Sequence, residues 1–279
     1  MKVIRKNVNR RPYTVEVFDS VLELANINKK RVVQDKWKNY ALSRENISAD
    51  PNWYGVSSYE EAYDLLSGGW EKETKKIASL VDKVAKSAKK TKTQFYNDVC
   101  GFAPIVPLAL IGVPNSMINT KRIEQKSKIL NVIYDNTASW KISSESMIEA
   151  GRKLVETIIN LEMSGYRVEL SVLTSSVDKK YIDFSLTNIK KANQSINLKK
   201  MMFPMAHSAW LRVIGFDWQD KSPVTHYMKN RGTPFYNGMK KGLVYLSDLK
   251  EVFGKNTIYL DYITCSEGET AIKKRLLEN

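Results

Sequence analysis

The stretch that decides the fold is KILNVIYDNTAS, residues 128–139, in which an apolar run gives way to a polar loop. The apolar residues 132–134 predict a buried strand, and Asp135 ends that strand. Thr137 and Ser139 follow at alternate positions. This pattern is compatible with a metal-binding loop at a strand end and equally with a polar turn before a helix, and the residues leave both open.

The chain after this loop alternates between helical and strand patterns. Residues 143–165 repeat apolar side chains at helical spacing, between a serine cap and Gly165 as the stop. YRVELSVLTS, residues 166–175, predicts a second strand, and short loops between the elements predict a parallel strand–helix–strand unit. Residues 181–190 and 256–266 predict further strands, and residues 269–279 a closing helix. The expected fold class is therefore α/β or α+β.

Changes in composition divide the chain into three parts. Residues 1–95 are basic and predicted to be mainly helical, with one strand running into a helix near residues 12–26. Residues 96–126 contain proline and glycine and are predicted to connect two parts, with the apolar run at 101–114 buried. Residues 127–279 are expected to form a three-layer α/β domain.

The charge of the chain favours anionic partners. Lysine and arginine number 44 against 30 acidic residues, a formal net of +14. A helix predicted within residues 71–93 carries a lysine-rich face, and a turn-rich loop at 222–238 mixes cations with aromatic residues. These patterns predict contacts with DNA or RNA phosphates, and an ordinary solvated surface is the alternative. The candidate residues are Lys83, Lys86, Lys89, Lys90, Lys92, Lys229 and Arg231.

Several classes of protein are disfavoured by what the sequence contains. Cys100 and Cys265 are its two cysteines, and both lie in apolar stretches where buried, reduced thiols are expected. Their separation gives no zinc-ligand spacing, and no dinucleotide-binding or P-loop motif occurs. The basic N-terminus lacks the apolar core of a secretory signal, and residues 101–114 are too short to span a membrane. The expected location is the cytoplasm of a host cell or a virion.

The order of strand, Asp-x-Thr-x-Ser loop, amphipathic helix and second strand resembles the start of a von Willebrand factor A domain. That resemblance covers roughly residues 128–270 and implies a Rossmann-like sheet with a metal-ion-dependent adhesion site. Asp135, Thr137 and Ser139 match the family's first loop, and oxygen ligands of this kind suit Mg²⁺. A threonine and an aspartate from later loops complete such a site. Thr174 is the candidate for the first, and Asp217 or Asp220 for the second.

A second resemblance covers about residues 53–220. SYEEAYDLLSGGW, GVPNSMI, GYRVEL and FPMAHSAWLRVIGF together resemble an uncharacterised family of phage and mobile-element proteins. The resemblance implies a viral or mobile-element origin and carries no established activity.

Three functions remain after these observations, and the balance favours a non-enzyme. The first is a phage-encoded protein that binds the phosphate backbone of nucleic acid through its lysine-rich surfaces. The second is a virion or assembly component that binds phage or host proteins. The third is a metal-dependent enzyme that uses Asp135. His207 is the catalytic candidate among the side chains that titrate near neutral pH, although its apolar neighbours favour a buried structural histidine.

Overall fold

The computed structural model describes residues 1–38, 44–75, 77, 92–123, 128–227 and 232–277. The strands within these residues are β1 Lys2–Val8, β2 Arg11–Phe18, β3 Lys92–Asp98, β4 Ala103–Pro104, β5 Met117–Ile123, β6 Ile129–Asp135, β7 Arg167–Val177, β8 Ile182–Lys190 and β9 Thr257–Asp261. The α-helices are α1 Val21–Lys30, α2 Arg44–Ala49, α3 Pro51–Tyr54, α4 Tyr59–Gly68, α5 Val106–Leu110, α6 Ser144–Met163, α7 Leu198–Ala206, α8 Phe216–Lys221, α9 Phe235–Lys240, α10 Leu246–Phe253, α11 Tyr262–Glu267 and α12 Glu269–Leu277. A 3₁₀ turn, Asp35–Trp37, and a π-helical segment, Trp210–Gly215, complete the main elements.

The protein has a mixed α/β fold built on a six-stranded sheet in the order β1-β2-β8-β7-β6-β9. Strands β7, β6 and β9 run parallel, as the predicted strand–helix–strand unit requires. Strand β8 returns antiparallel to β7 because only a short turn joins them, in which Asp178 donates its N–H to the carbonyl of Tyr181. Helices cover both faces of the sheet, so that an apolar core lies on each side.

Helix α6 confirms the prediction made from its periodicity and caps. The side chain of Ser143 accepts the N–H of Ser146, and Gly165 follows the helix with a φ of 95°. Gly151 lies against α7, where a Cβ would come within 2.3 Å of the carbonyl oxygen of Met205. The helix therefore buries one face against its neighbour at backbone-to-backbone distance.

The N-terminal part differs from the division that the composition suggests. Strands β1 and β2 lie within the segment expected to be mainly helical, yet they form one edge of the main sheet through the parallel pair β2–β8. The expected boundary at residue 95 falls inside β3, which pairs with β5 along its whole length. Pairings between strands this far apart in sequence leave no local pattern, so the composition could not reveal them.

Residues 92–123 form a separate three-stranded sheet in the order β3-β5-β4, hereafter the arm. The run at 101–114 is expected from its composition to be buried, but it is exposed or half-buried throughout, and Cys100 is exposed whereas Cys265 is buried. The expectation fails because an apolar run indicates a segment whose burial is favourable. It does not show whether another part of the chain packs against that segment. Among the described helices, none has the length and apolar character that crossing a bilayer requires.

Candidate functional site

The predicted loop lies at the edge of the sheet where the parallel strands β6 and β9 end. Asp135 and Asp261 are the last residues of these strands and pair with each other in register. The helices that follow these strands, α6 and α11, pack against each other on one face of the sheet. Ligands of α/β proteins bind outside the carboxyl ends of the strands. A small cavity of about 70 Å³ lies there. Its polar lining includes Thr137, Ser139, Asn237 and Asp261.

The carboxylate of Asp135 is fully buried and joins three strands. One oxygen accepts the N–H of Thr137 at 3.0 Å, and the other accepts the hydroxyls of Ser175 and Tyr259, each at 2.9 Å. Burial raises the pKa of Asp135 to about 6, and these donors limit the rise. In the structure Asp135 therefore acts as the acceptor that ties β6 to β7 and β9.

The two hydroxyls of the predicted metal loop accept backbone N–H groups. Thr137 Oγ1 accepts the N–H of Ser175 at 2.8 Å, and Ser139 Oγ accepts that of Lys141 at 3.5 Å. The contact of Ser139 is local, as in a polar turn, whereas that of Thr137 joins the loop to β7. Among the described residues, no group of three or more His, Cys, Asp or Glu side chains could hold a metal ion. The Mg²⁺ site predicted at Asp135, Thr137 and Ser139 stays a prediction.

The later-loop residues proposed to complete the metal site lie elsewhere. The carboxylate of Asp217 accepts hydrogen bonds from the hydroxyls of Tyr59 and Tyr63 and forms an ion pair with Lys221. The acid that lies beside Asp135 is instead Asp261. Thr174 faces Gly215 on the opposite side of the sheet, because successive strand residues alternate between faces. Its neighbour Ser175 therefore contacts Asp135 instead.

Asp220, the other acid proposed for the metal site, is buried in α8, and its backbone carbonyl accepts the N–H of Gln34. Its position depends on how α8 packs, which the spacing of residues in the sequence does not reveal. Neither proposed acid is therefore the one that the sheet places at the end of β9.

His207 is buried, with its ring against Trp70 at 4.5 Å between centroids. Its Nδ1 accepts the backbone N–H of Ala209 at 3.1 Å. Burial lowers the pKa of His207 to about 4, so that the ring is neutral at physiological pH. The geometry is that of a structural histidine that caps a chain reversal after α7.

The predicted phosphate-contacting residues fall almost entirely outside the described residues. Lys83, Lys86, Lys89, Lys90, Lys229 and Arg231 all lie there, and Lys92 begins strand β3. The described part shows instead how the fold sorts charge. Nine acidic side chains are buried: Glu16, Glu73, Asp135, Glu162, Asp183, Asp217, Asp220, Asp248 and Asp261.

Only two basic side chains of the described residues are buried, Lys190 and Arg212. This buried set carries nine negative and two positive charges, a formal net of −7, within a chain of +14. All other residues together therefore carry a formal +21. Within the described part of the chain, burial therefore removes more acidic than basic side chains from the surface.

A cationic groove of about 270 Å³ lies at the β1 edge of the sheet. Its lining includes Arg5, Asn7, Thr14 and His226. Residues 1–15 contain five cations and no acid, a signal in the sequence that could have identified this edge. The imidazole of His226 lies 2.9 Å from the buried carboxylate of Asp183, a partner that sequence reasoning did not find.

Aromatic rings lie beside this groove. Tyr181 stacks on His226 with 4.0 Å between centroids, and the half-exposed Tyr227 lies against Trp37 at 5.4 Å. His226 and Tyr227 lead in sequence into the loop that carries Lys229 and Arg231. The groove therefore combines cationic side chains with flat aromatic ones.

A family model described as "Domain of unknown function (DUF7192)" matches residues 5–278. No curated protein and no solved structure matches the chain.

Proposed function

Because that match spans nearly the whole chain, the protein belongs to this family of unknown function, and we propose that it binds nucleic acid through its phosphate backbone. The observation that carries the proposal is the sorting of charge, with nine buried acids against two buried bases. A surface charged in this way attracts a polyanion without reading its sequence.

The β1 edge is the described surface that fits this role best. Lys2, Arg5 and Arg10 are exposed along strand β1 and the turn that follows it. The groove beside them offers Arg5 for a phosphate and the Tyr181–His226 stack for a base. Arginine and lysine contacts of this kind position a nucleic-acid backbone and do not specify a base.

Changing Lys2, Arg5 and Arg10 together to Gln is expected to weaken binding of single-stranded DNA and RNA. The slope of log affinity against log salt concentration should flatten by about 0.7–0.9 for each phosphate that the variant no longer neutralises, because fewer counterions are released. Fluorescence anisotropy of labelled oligonucleotides across a salt series, with and without Mg²⁺, measures both quantities.

A charge-matched control replaces Lys250, Lys255 and Lys274, which are exposed on α10, before β9 and on α12. This variant should retain the wild-type salt slope. Changing Lys86, Lys89 and Lys90 to Gln tests the lysine-rich face in the same assay. Absence of wild-type binding at low salt would overturn the proposal.

The arm favours a second candidate function, assembly through protein–protein contact. Phe95, Phe102, Leu110 and Ile111 are all exposed, each by 64% or more, and no residue from 94 to 121 is buried. This stretch contains one acid, Asp98, and one base, Lys121, so it is neutral on a strongly cationic chain. Such a surface has little attraction for nucleic acid and does not repel a copy of itself.

We infer that the occupant of the arm is a second copy of this chain. Among the described strands β3 pairs with β5 alone, so its other edge has seven residues available for antiparallel pairing. Pairing of two β3 edges would extend the sheet across both copies. The rings of Phe95 and Phe102, 6.3 Å apart, would then be covered.

Phe95→Ser combined with Phe102→Ser is expected to convert a self-associating protein into a monomer, because the apolar contact between arms is removed. Light scattering coupled to size exclusion, over a range of protein concentrations, measures the mass. Val32→Ser, at a position 77% exposed and remote in sequence from the arm, is the matched control and should associate like the wild type. A wild type that stays monomeric at high concentration contradicts this candidate.

The finer features implied by the two sequence resemblances are part of the same proposal. The parallel unit β6–α6–β7 and the position of Asp135 at a strand end support a von Willebrand A-like arrangement with a Mg²⁺-dependent role. The comparison of binding with and without Mg²⁺ is its test. A phage or mobile-element origin is the prediction of the second resemblance.

A further inference from the structure

The groove at the β1 edge holds a row of aligned polar side chains. Arg5 pairs in register with Thr14 on β2, and Thr14 pairs with Asp183 on β8. Residues at the same register position of neighbouring strands project from the same face of a sheet. Arg5, Thr14 and Asp183 therefore form one row, and His226 lies against the Asp183 end of it.

The contacts between Asp183 and His226 fix the state of the imidazole. One oxygen of Asp183 accepts the backbone N–H of His226 at 2.7 Å, and the other lies 2.9 Å from Nδ1. Burial raises the pKa of Asp183, and its hydrogen bonds with His226 oppose that rise by favouring the carboxylate. An ionised carboxylate only accepts hydrogen bonds, so Nδ1 carries the hydrogen when Asp183 is ionised. In the neutral ring Nε2 then holds the lone pair and can accept a proton.

The surroundings leave that nitrogen accessible in a cationic site. The His226 side chain is 36% exposed, whereas that of Asp183 is 1% exposed. The ring therefore contacts a buried carboxylate on one side and is accessible to solvent on the other. Tyr181 stacks on the ring within 5° of parallel and restricts its rotation. Lys6 donates to the carbonyls of Glu251 and Val252 near the end of α10, and Lys36, which interacts with Asp183, donates to the carbonyl of Thr225. Among the described residues, the exposed Arg5 is the remaining cation that lines the groove.

We propose that His226 is the general base of a ribonuclease activity in this groove, with Asp183 as its positioning residue and Arg5 as the phosphate contact. The inference rests on the proposed function, since it requires that RNA enter the groove. An Asp–His pair with an exposed Nε2 is the arrangement that removes a proton from a hydroxyl.

The reaction is an intramolecular transesterification. Nε2 of His226 takes the proton of a ribose 2′-hydroxyl, and the 2′-oxygen forms a bond to the adjacent phosphorus. The bond from phosphorus to the 5′-oxygen of the next nucleotide breaks, and that oxygen takes a proton from solvent water. The products are a 2′,3′-cyclic phosphate and a 5′-hydroxyl, with the proton on His226 returned to solvent. Arg5 stabilises the negative charge that gathers on the phosphate oxygens.

This chemistry selects RNA over DNA. The substrate brings its own nucleophile, so the protein needs to supply a base and a cation, and the groove offers both. DNA lacks the 2′-hydroxyl and would bind in the same groove without being cut.

The test follows cleavage of a fluorophore–quencher RNA by the full-length protein in EDTA. His226→Ala is expected to lower the cleavage rate at least about 100-fold, the usual contribution of a general base. Added imidazole should restore part of the rate to His226→Ala, which a purely structural role would not allow. Arg5→Gln should lower the rate as well, and Lys274→Gln, at an exposed position of α12 outside the groove lining, should retain it.

Parallel measurements separate this inference from the proposed function. Anisotropy with a 2′-O-methyl RNA, which cannot be cleaved, reports binding by the wild type and by His226→Ala. Binding without cleavage would overturn the ribonuclease and leave the nucleic-acid-binding proposal standing, whereas absence of both would overturn the two together. Equal cleavage by wild type and His226→Ala, in samples matched by circular dichroism, would identify a contaminating nuclease and also overturn the inference.

Discussion

Lys190→Met is expected to lower the free energy of unfolding by about 4 kcal/mol, because it leaves a buried carboxylate without its cation. Lys190 Nζ lies 2.6 Å from Glu162, and the two side chains are 2% and 4% exposed. The pair joins the end of α6 to β8, and both partners also contact the backbone of Val168 at the start of β7. Urea denaturation followed by tryptophan fluorescence measures the decrease in stability.

Lys191→Met is the matched control, since the adjacent lysine is exposed and should change stability by less than about 0.5 kcal/mol. Adding Glu162→Gln to Lys190→Met should recover part of the stability, because the uncompensated charge disappears while the N–H of Val168 keeps an acceptor. If Lys190→Met and Lys191→Met unfold at the same urea concentration, the buried pair contributes nothing and the prediction is wrong.

Asp135→Ala is expected to lower the free energy of unfolding by about 3 kcal/mol at neutral pH, because it removes the acceptor of three buried donors. The N–H of Thr137 and the hydroxyls of Ser175 and Tyr259 would lose their partner between β6, β7 and β9. Asp64→Ala, at an exposed position of α4, is the control and should leave stability within about 0.5 kcal/mol of the wild type. Thermal and urea unfolding of the two variants give the comparison.

The same carboxyl group predicts a pH dependence with a definite sign. Its pKa is raised to about 6 in the folded protein from 3.8, so the folded state binds the proton more tightly than the unfolded state. The resulting stabilisation is complete below pH 3.8 and is lost as the pH rises through about 6, a change of about 3 kcal/mol. His207, whose pKa is lowered to about 4, acts in the opposite direction over a similar range.

The difference in stability between wild type and Asp135→Asn isolates the contribution of Asp135, since His207 titrates equally in both. That difference should move in favour of the wild type as the pH falls from 7 toward 4. A difference that stays constant over this range would show that Asp135 does not titrate as burial predicts.

The site at the ends of β6 and β9 includes residues that the sequence predicts and residues that it does not. The sequence places Asp135 correctly at the end of a buried strand, because the apolar run and the polar residues after it are local signals. The family resemblance implies Thr174 as the threonine of the site, although the alternation of strand side chains gives its neighbour Ser175 the contact with Asp135. Asp261 has no local signal that links it to Asp135, because its strand, β9, is separated from β6 by more than a hundred residues.

The amino-acid sequence by itself determined the strand–helix–strand unit, the caps of α6 and the cationic character of the chain. Helix periodicity, serine caps and glycine stops act between residues a few positions apart, so the residues that form them also reveal them. Only the tertiary structure decided that β1 and β2 complete the sheet, that nine acids are buried, and that His226 meets Asp183. These features depend on hydrogen bonds and burial between segments distant in sequence, and such contacts are selected by the packing of the whole fold.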